Sequence, residues 1–349
     1  MPAHHATCSR NDLFVKLIQF KMPKHTFFSS CRLSLAALTG LSCLTLAYAQ
    51  PVFPSKPITM VVPTAAGGTT DLSARMLAQA LAPVVGQSIV VDNKGGGNGN
   101  IAANQVKRAP ADGYTLLMQY SGYHVISPHV TRQKQWELND FQAVGNVISA
   151  PQIIVVRADL PVKTLDELIA YAKANPGKLN YASSGNGSLQ HVTGAMLEQQ
   201  AGIKMVHVPY KGTGPALQDL LAGQVDLTFG TAPPFMPHIA VGKLKVLAVT
   251  SKDRLSSLPH VPTTAEAGYP KVNATSWFAV FAPAATPKSV VDKLTADISQ
   301  VVRSASFVQK AQEQGASADY LNPLQLTERV NAEFKTWQSV VQSSKIEAE

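Results

Sequence analysis

Strand-like apolar runs separated by helix-like stretches are the feature that most constrains this chain. The runs are "ITMVV", "SIVVD", "YTLLMQ", "QIIVV", "KLNYAS", "MVHVPY", "VDLTFG", "LKVLAVT" and "WFAVFAP". Such alternation predicts an α/β fold with largely parallel sheets. Helix boundaries are marked as well. Thr164 with Glu167 forms a capping-box pattern ahead of "LIAYAKA", and "NPG" at Asn175 to Gly177 ends that helix. Pro287 stands where a first helical turn begins. Proline-flanked stretches at "SAPQIIVVRADLP" and "HVPTTAEAGYPKVNATSW" are the places where the chain would cross between lobes. Two crossings make a first lobe from both ends of the chain, hinged on a second around a cleft.

The loop "PTAAGGTTD" lies between the strand "ITMVV" and a helix whose apolar positions Leu72, Met76, Ala80 and Val84 recur every fourth residue, with Gly86 as its stop. At such a junction the helix N–H groups lack partners and the dipole is positive, so the loop can cradle an anion. A glycine turn that binds nothing fits the same pattern. A P-loop does not, because it needs a lysine after its last glycine and Gly68 is followed by Thr69. A carboxylate, with less charge than a phosphate, can be held by neutral donors alone. Asp71 is open to two readings: a first-turn carboxylate favoured by the dipole, or a group facing the cleft. Two further strand-to-helix loops repeat the chemistry. "YASSGNGSLQH" offers Ser183, Ser184, Asn186 and Ser188, and "VPYKGTGPALQDLLAG" offers Tyr210 and the cation Lys211. In open α/β sheets ligands settle at the carboxyl ends of strands, where all three loops lie.

The N-terminal stretch "RLSLAALTGLSCLTLAYA" follows Lys24 with an apolar core and closes on an A-x-A pattern, so export with cleavage after Ala49 is expected. Met22 is an alternative start, and Gly40 three residues before Cys43 argues against a lipid anchor. Cys8, Cys31 and Cys43 all fall in that segment, leaving the mature chain without a thiol or disulfide. The whole chain carries 30 basic and 22 acidic residues. Removing the leader's five basic residues and one acid leaves 25 and 21, a net of +4. That mild excess is scattered along helix-like segments without aromatic interleaving, so no nucleic-acid partner is expected.

Other chemistries fare poorly. "GNGNIA", Gly97 to Ala102, has the GxGxxA form, but the next strand ends in Gln119 and Tyr120 instead of the acid a dinucleotide site requires. No GxSxG elbow occurs, and His191, three residues after Ser188, lacks an orienting acid. His124 and His129 are five apart with Pro128 between them, unlike a zinc helix. Neither a metal nor a cofactor is expected.

"ITMVVPTAAGGTTDLSARMLAQAL", "VVDNKGGGNGNIAANQVKRAPADGYTLLM", "YASSGNGSLQH" and "HVPYKGTGPALQDLLAGQVDLTF" together resemble the Bug (TctC-like) extracytoplasmic solute-binding receptors of tripartite tricarboxylate transporters. The similarity runs from about Pro54 to the C-terminal helix. It implies a two-lobed Venus-flytrap fold, with residues 54–153 and 274–349 in lobe 1, 154–273 in lobe 2, and 1–49 as the removed leader. It implies a small carboxylate in the interlobe cleft. Thr64, Ala65, Ala66, Gly67, Gly68, Thr69, Thr70 and Asp71 would grip it through backbone groups and ordered water. Ser183, Ser184, Gly185, Asn186 and Ser188 would face it from the other lobe, and Ser121, Tyr210, Lys211, Gly212 and Thr231 would complete the wall. The implied partners are permease subunits of such a transporter, for a monomeric periplasmic receptor that is not an enzyme. A ligand sensor partnering a sensor kinase, or an exported hydrolase on the same fold, is the alternative. The chain departs from the family pattern at Thr64, where Phe is frequent, and at "NKGGGNGN", where "NRPGAGGN" is usual. The ligand itself stays open among dicarboxylates, tricarboxylates, aromatic acids, amino acids and neutral amides.

Overall fold

The computed structural model describes residues 53–132 and 135–343. The expected cleavage after Ala49, the alternative start at Met22 and the three cysteines lie outside the described residues. The first elements are β1 (Ile58–Val62), α1 (Thr69–Val85), β2 (Ile89–Asn93), α2 (Asn100–Lys107), β3 (Thr115–Tyr120) and β4 (Phe141–Arg157). Next come α3 (Leu165–Ala174), β5 (Asn180–Ser183), α4 (Leu189–Ala201), β6 (Val206–Pro209), α5 (Thr213–Leu221), β7 (Leu227–Thr231), α6 (Met236–Ala240) and β8 (Leu244–Val249). The chain closes with β9 (Thr275–Pro283), α7 (Lys288–Val302), α8 (Ala305–Glu313), β10 (Ser317–Ala318) and α9 (Pro323–Ser343).

The strands run in the order β2-β1-β3-β9-β4-β7-β5-β6, with β8 and β10 also paired to β4. Pairing is parallel among β1, β2 and β3 and among β5, β6 and β7, as alternation with helices requires. The expectation of largely parallel sheets fails at the centre. There β9 runs antiparallel to both β3 and β4, and β4 antiparallel to β7 and β8. The single long strand β4 explains this: "QIIVV" is only its last third. From Phe141 to Pro151 it pairs with β9, and from Gln152 onward with β7 and β8. One strand thus serves two sheets, each with its own core. Met60, Leu77, Leu117, Trp277 and Leu294 belong to the first. Beyond Gln152 successive side chains point to opposite faces. Ile154 joins Leu168 and Phe229, while Ile153 joins Leu217 and Phe235. Helices cover both faces, which is why this part of β4 reads as an unbroken apolar run.

Local signals act as expected at several ends. Gly86 adopts φ 70° and its N–H caps Ala82 O at 3.0 Å. Thr164 Oγ1 accepts from Glu167 N at 3.2 Å, although the Glu167 carboxylate reaches Lys163 N rather than the cap residue's own amide. The stripe on α1 differs from expectation: Met76 is buried, but Leu72, Ala80 and Val84 are half-buried, and the core face is Ala74, Leu77, Leu81 and Val85. A strict four-residue step drifts by about 40° per repeat on a helix of 3.6 residues per turn, so it leaves the core face. Among the described residues no helix is long and apolar enough to cross a membrane.

Candidate functional site

The loop between β1 and α1 is braced from behind. The Asp71 carboxylate accepts from Gly67 N at 3.0 Å and from Arg75 Nε at 3.0 and 3.1 Å. Arg75 also donates to Asn93 Oδ1 at 3.2 Å, and Asn93 Nδ2 donates to Thr64 O at 3.1 Å. Gly67 takes φ 85°, a left-handed turn that a side chain would strain. The N-cap Gly68 supplies no side-chain acceptor to the first turn of α1, so those N–H groups stay available for an anion.

The loop between β5 and α4 is organised differently. Ser188 Oγ caps its own helix by accepting from His191 N at 3.3 Å. His191 Nδ1 accepts from Gly187 N at 3.1 Å, and its ring stacks on His207 with centroids 3.9 Å apart. Ser183 Oγ and His207 Nε2 share a hydrogen bond of 2.6 Å. Burial lowers the pKa of His191 to about 4, and burial together with the neighbouring His191 lowers that of His207 to about 3. Both rings are therefore neutral at neutral pH. Tyr123 reaches across from the first sheet and donates to Ser184 O, while Leu189 N donates to Tyr120 Oη at 2.9 Å. Burial pushes the Tyr123 phenol up to about 12 and the Tyr120 phenol higher still, so both remain neutral.

The third loop, before α5, closes against the first. Ala65 N donates to Lys211 O at 3.0 Å, and a Cβ on Gly214 would overlap the backbone carbonyl of Ala66. Gln190 ties the second loop to the third, accepting from Ser184 N and donating to Thr213 Oγ1 at 2.9 Å. Thr69 Oγ1 and Thr231 Oγ1 meet at 2.6 Å.

These contacts surround a small cavity of about 10 Å³ lined by Thr64, Gly68, Thr69, Thr70, Tyr120, Gln152, Ser184, Gln190, Thr213, Thr231, Ser276 and Phe278. Every lining residue is uncharged. Buried hydroxyls and amides in it are mostly paired, but Thr64 Oγ1, Ser184 Oγ and Gln152 Oε1 have no hydrogen-bond partner among the described residues. Of the sequence candidates, Thr64, Gly68, Thr69, Thr70, Ser184 and Thr231 come together here. Ala65, Gly185, Asn186, Tyr210 and Lys211 line a more open pocket beside it, with Asn98 and Tyr123. Ala66, Gly67, Asp71, Ser121, Ser183, Ser188 and Gly212 line neither. Asp71 is taken by Gly67 N and Arg75, and Ser121 Oγ accepts from Trp277 N at 3.3 Å. Sequence reasoning missed Tyr120, Gln152, Gln190, Thr213, Ser276 and Phe278. Gln152, the polar residue between Pro151 and the apolar run "IIVV", was the one signal that could have been read. Among the described residues no group of three or more His, Cys, Asp or Glu side chains could hold a metal.

The model of the tripartite tricarboxylate transporter family receptor, TctC, matches residues 73–346. The chain belongs to that family. The receptor is 35% identical over 319 residues to protein BugT of Bordetella pertussis, covering 89% of this chain and 97% of BugT. Its fold matches that of the periplasmic binding protein BugD with a TM-score of 0.82 at 36% identity, over 85% of this chain and all of the other. The structure of R. palustris Rpa4515 with adipate matches at a TM-score of 0.83 and 37% identity, again over 85% of this chain and 100% of that one. The two-lobed solute-binding fold expected from the sequence is thereby the fold of this receptor.

Proposed function

We propose that this receptor captures a small carboxylate in the cavity between its two lobes and delivers it, in the periplasm, to the membrane subunits of a tripartite tricarboxylate-type transporter. The observation that carries the reading is the lining: uncharged hydroxyls and amides converge on the uncapped N-terminus of α1, with no cation among them. Such a set suits a carboxylate better than a phosphate. The adipate in the similar R. palustris protein supports the same class of ligand. In this reading residues 54–153 and 274–349 form lobe 1 and 154–273 lobe 2, with Gln152 at the crossing. Thr64, Gly68, Thr69 and Thr70 hold the anion and Ser184 and Thr231 face it, while Ala65, Ala66, Gly67 and Asp71 fix the shape of the loop. Ser121, Ser183 and Ser188 likewise act by holding the wall in shape. The receptor works as a monomer and releases its ligand unchanged.

A serine does touch a histidine, Ser183 on His207, but Ser183 is fully buried, also bonds Gly185, and lines neither pocket. Hydrolysis draws no support from that pair. The reading is tested by thermal melting and calorimetry of the mature chain against di- and tricarboxylates, aromatic acids and acidic amino acids. A cognate ligand at roughly 100 times its Kd stabilises the fold by about 2.7 kcal/mol. No shift from any member, or disappearance of the added compound with time, refutes it.

A further inference from the structure

Gln152 stands where β4 changes partners, and its backbone is fixed by both crossings. Its N–H donates to Ala274 O at 3.0 Å, and its carbonyl accepts from Thr250 N at 2.9 Å and Thr250 Oγ1 at 3.0 Å. The side chain is 1% exposed. Its Nε2 donates to Ser276 Oγ at 2.7 Å, while Oε1 is buried without a partner in a residue that lines the cavity. A buried amide oxygen left in that condition calls for a donor.

A carboxylate cannot supply one, because when ionised it only accepts. It can satisfy the unpartnered Thr64 hydroxyl and the first-turn N–H groups of α1, but not Gln152. An ammonium group would donate, yet no lining residue carries a negative charge to accompany it. A neutral O–H or N–H donor meets both requirements. A ligand hydroxyl can also accept from Thr64 while it donates to Gln152. Resting on the carboxylate-receptor reading, we infer that this receptor selects carboxylates that also bear a neutral hydrogen-bond donor, a hydroxyl or a carboxamide, and that Gln152 Oε1 is the acceptor that reads it.

The test is titration calorimetry of the mature receptor with pairs that differ only in the donor: malate against succinate, and succinamate against levulinate. In any pair that binds, the donor-bearing member should bind at least tenfold more tightly, since a site built to hydrogen-bond a group rejects the analogue that lacks it. Gln152→Met, close in volume but without the acceptor, should bring the ratio of affinities within each pair to less than threefold. Equal affinities in the unaltered receptor, or a preference that survives Gln152→Met, overturn the inference and leave the carboxylate reading intact. If no carboxylate of these pairs or of the wider panel binds, the receptor reading itself falls, and the inference with it. Should Gln152→Met lose its fold by circular dichroism, a crystal structure of the malate or succinamate complex decides. A ligand O–H or N–H on Gln152 Oε1 supports the inference, and Gln152 bonded only to Ser276 overturns it.

Discussion

The loop after β1 and the loop after β5 carry the same residue types between a strand and a helix, yet they are held by opposite means. Behind the first stands a charged brace in which Asp71 joins Gly67 N to Arg75, and the helix it opens has no side-chain cap. The second caps itself through Ser188 and rests on two stacked neutral histidines. A loop whose own side chains satisfy its helix has fewer N–H groups to offer a ligand. One whose rigidity comes from behind keeps them free. Similar glycine-rich sequences therefore make a cradle on one side of the cavity and a wall on the other.

The largest effect should come from removing the brace. Asp71 is buried and its carboxylate makes charge-assisted bonds, so Asp71→Ala should cost about 2–3 kcal/mol of stability. Ser188→Ala, which removes only an N-cap, should cost about 1 kcal/mol. Urea denaturation of both variants tests the contrast. Equal costs would mean that the two loops are held equally well and the comparison is broken.

Gly68→Val comes next. A Cβ there would lie 3.3 Å from Thr213 Cβ, and the branched methyls would fill the approach to the α1 N-terminus. Carboxylate affinity should fall at least tenfold, about 1.4 kcal/mol, by calorimetry on protein shown to be folded. Gly68 has φ −89°, which any residue adopts, so Gly202→Val, at the end of α4 where φ is 64° and a Cβ meets nothing within 4 Å, is the control for a strained glycine away from the cavity. If the control loses as much affinity, the approach to the helix end is not what matters.

How much of this was legible from the sequence depends on how far apart the interacting residues lie. The three glycine loops, the stop at Gly86 and the cap at Thr164 are local patterns, in which turn and capping chemistry acts within a few residues. They could be read without knowing the fold. Ser276 and Tyr120 could not, and Gln152 only as a polar residue ahead of an apolar run. They enter the cavity only because β4 pairs with β7 at Thr231, β9 lies beside β4, and β3 lies beside β9. That register is set by non-local packing. Asp71 shows the reverse. Its first-turn position was visible, but its bond to Gly67 N depends on a loop conformation no local pattern specifies. Thr213 lies inside the motif that offers Tyr210 and Lys211, but its place in the lining depends on the non-local bond from Gln190.

The histidines beneath the second loop sharpen the comparison through pH. His191 and His207 have pKa values of about 4 and 3 in the fold, below the ordinary 6.5. The unfolded chain therefore binds protons that the folded chain refuses. Their contribution to stability is complete above pH 6.5 and is lost as pH falls toward 4. Protonating His191 Nδ1 would also break its bond from Gly187 N. Buried His124, lowered to about 3, adds to the same fall from the first sheet's core. Urea denaturation between pH 6.0 and 5.0 should thus show falling stability, with a smaller fall in His191→Asn. The difference should be less than about 1.4 kcal/mol, the ceiling for one group over one pH unit, because both rings of the pair are only half-buried. Parallel curves for the two proteins would remove the histidines from the account of how the second loop is held.

The smallest effect expected is that of Lys211→Ala, and it bears on what kind of attraction the cavity uses. Lys211 is exposed and lines only the open pocket beside the cavity, while its backbone carbonyl, unchanged by the substitution, accepts from Ala65 N. A cation in that position acts on the approaching anion through water, where salt screens it beyond about 10 Å at 0.1 M. Its loss should slow association at low salt and leave dissociation unchanged. The resulting change in Kd should be less than about threefold, roughly 0.7 kcal/mol, and should shrink as salt is raised. Stopped-flow binding at two ionic strengths separates the rates. A tenfold loss carried by faster dissociation would mean that the ligand is held by a desolvated ion pair. The contrast between a braced, neutral cradle and a self-capped wall would then miss the group that sets affinity.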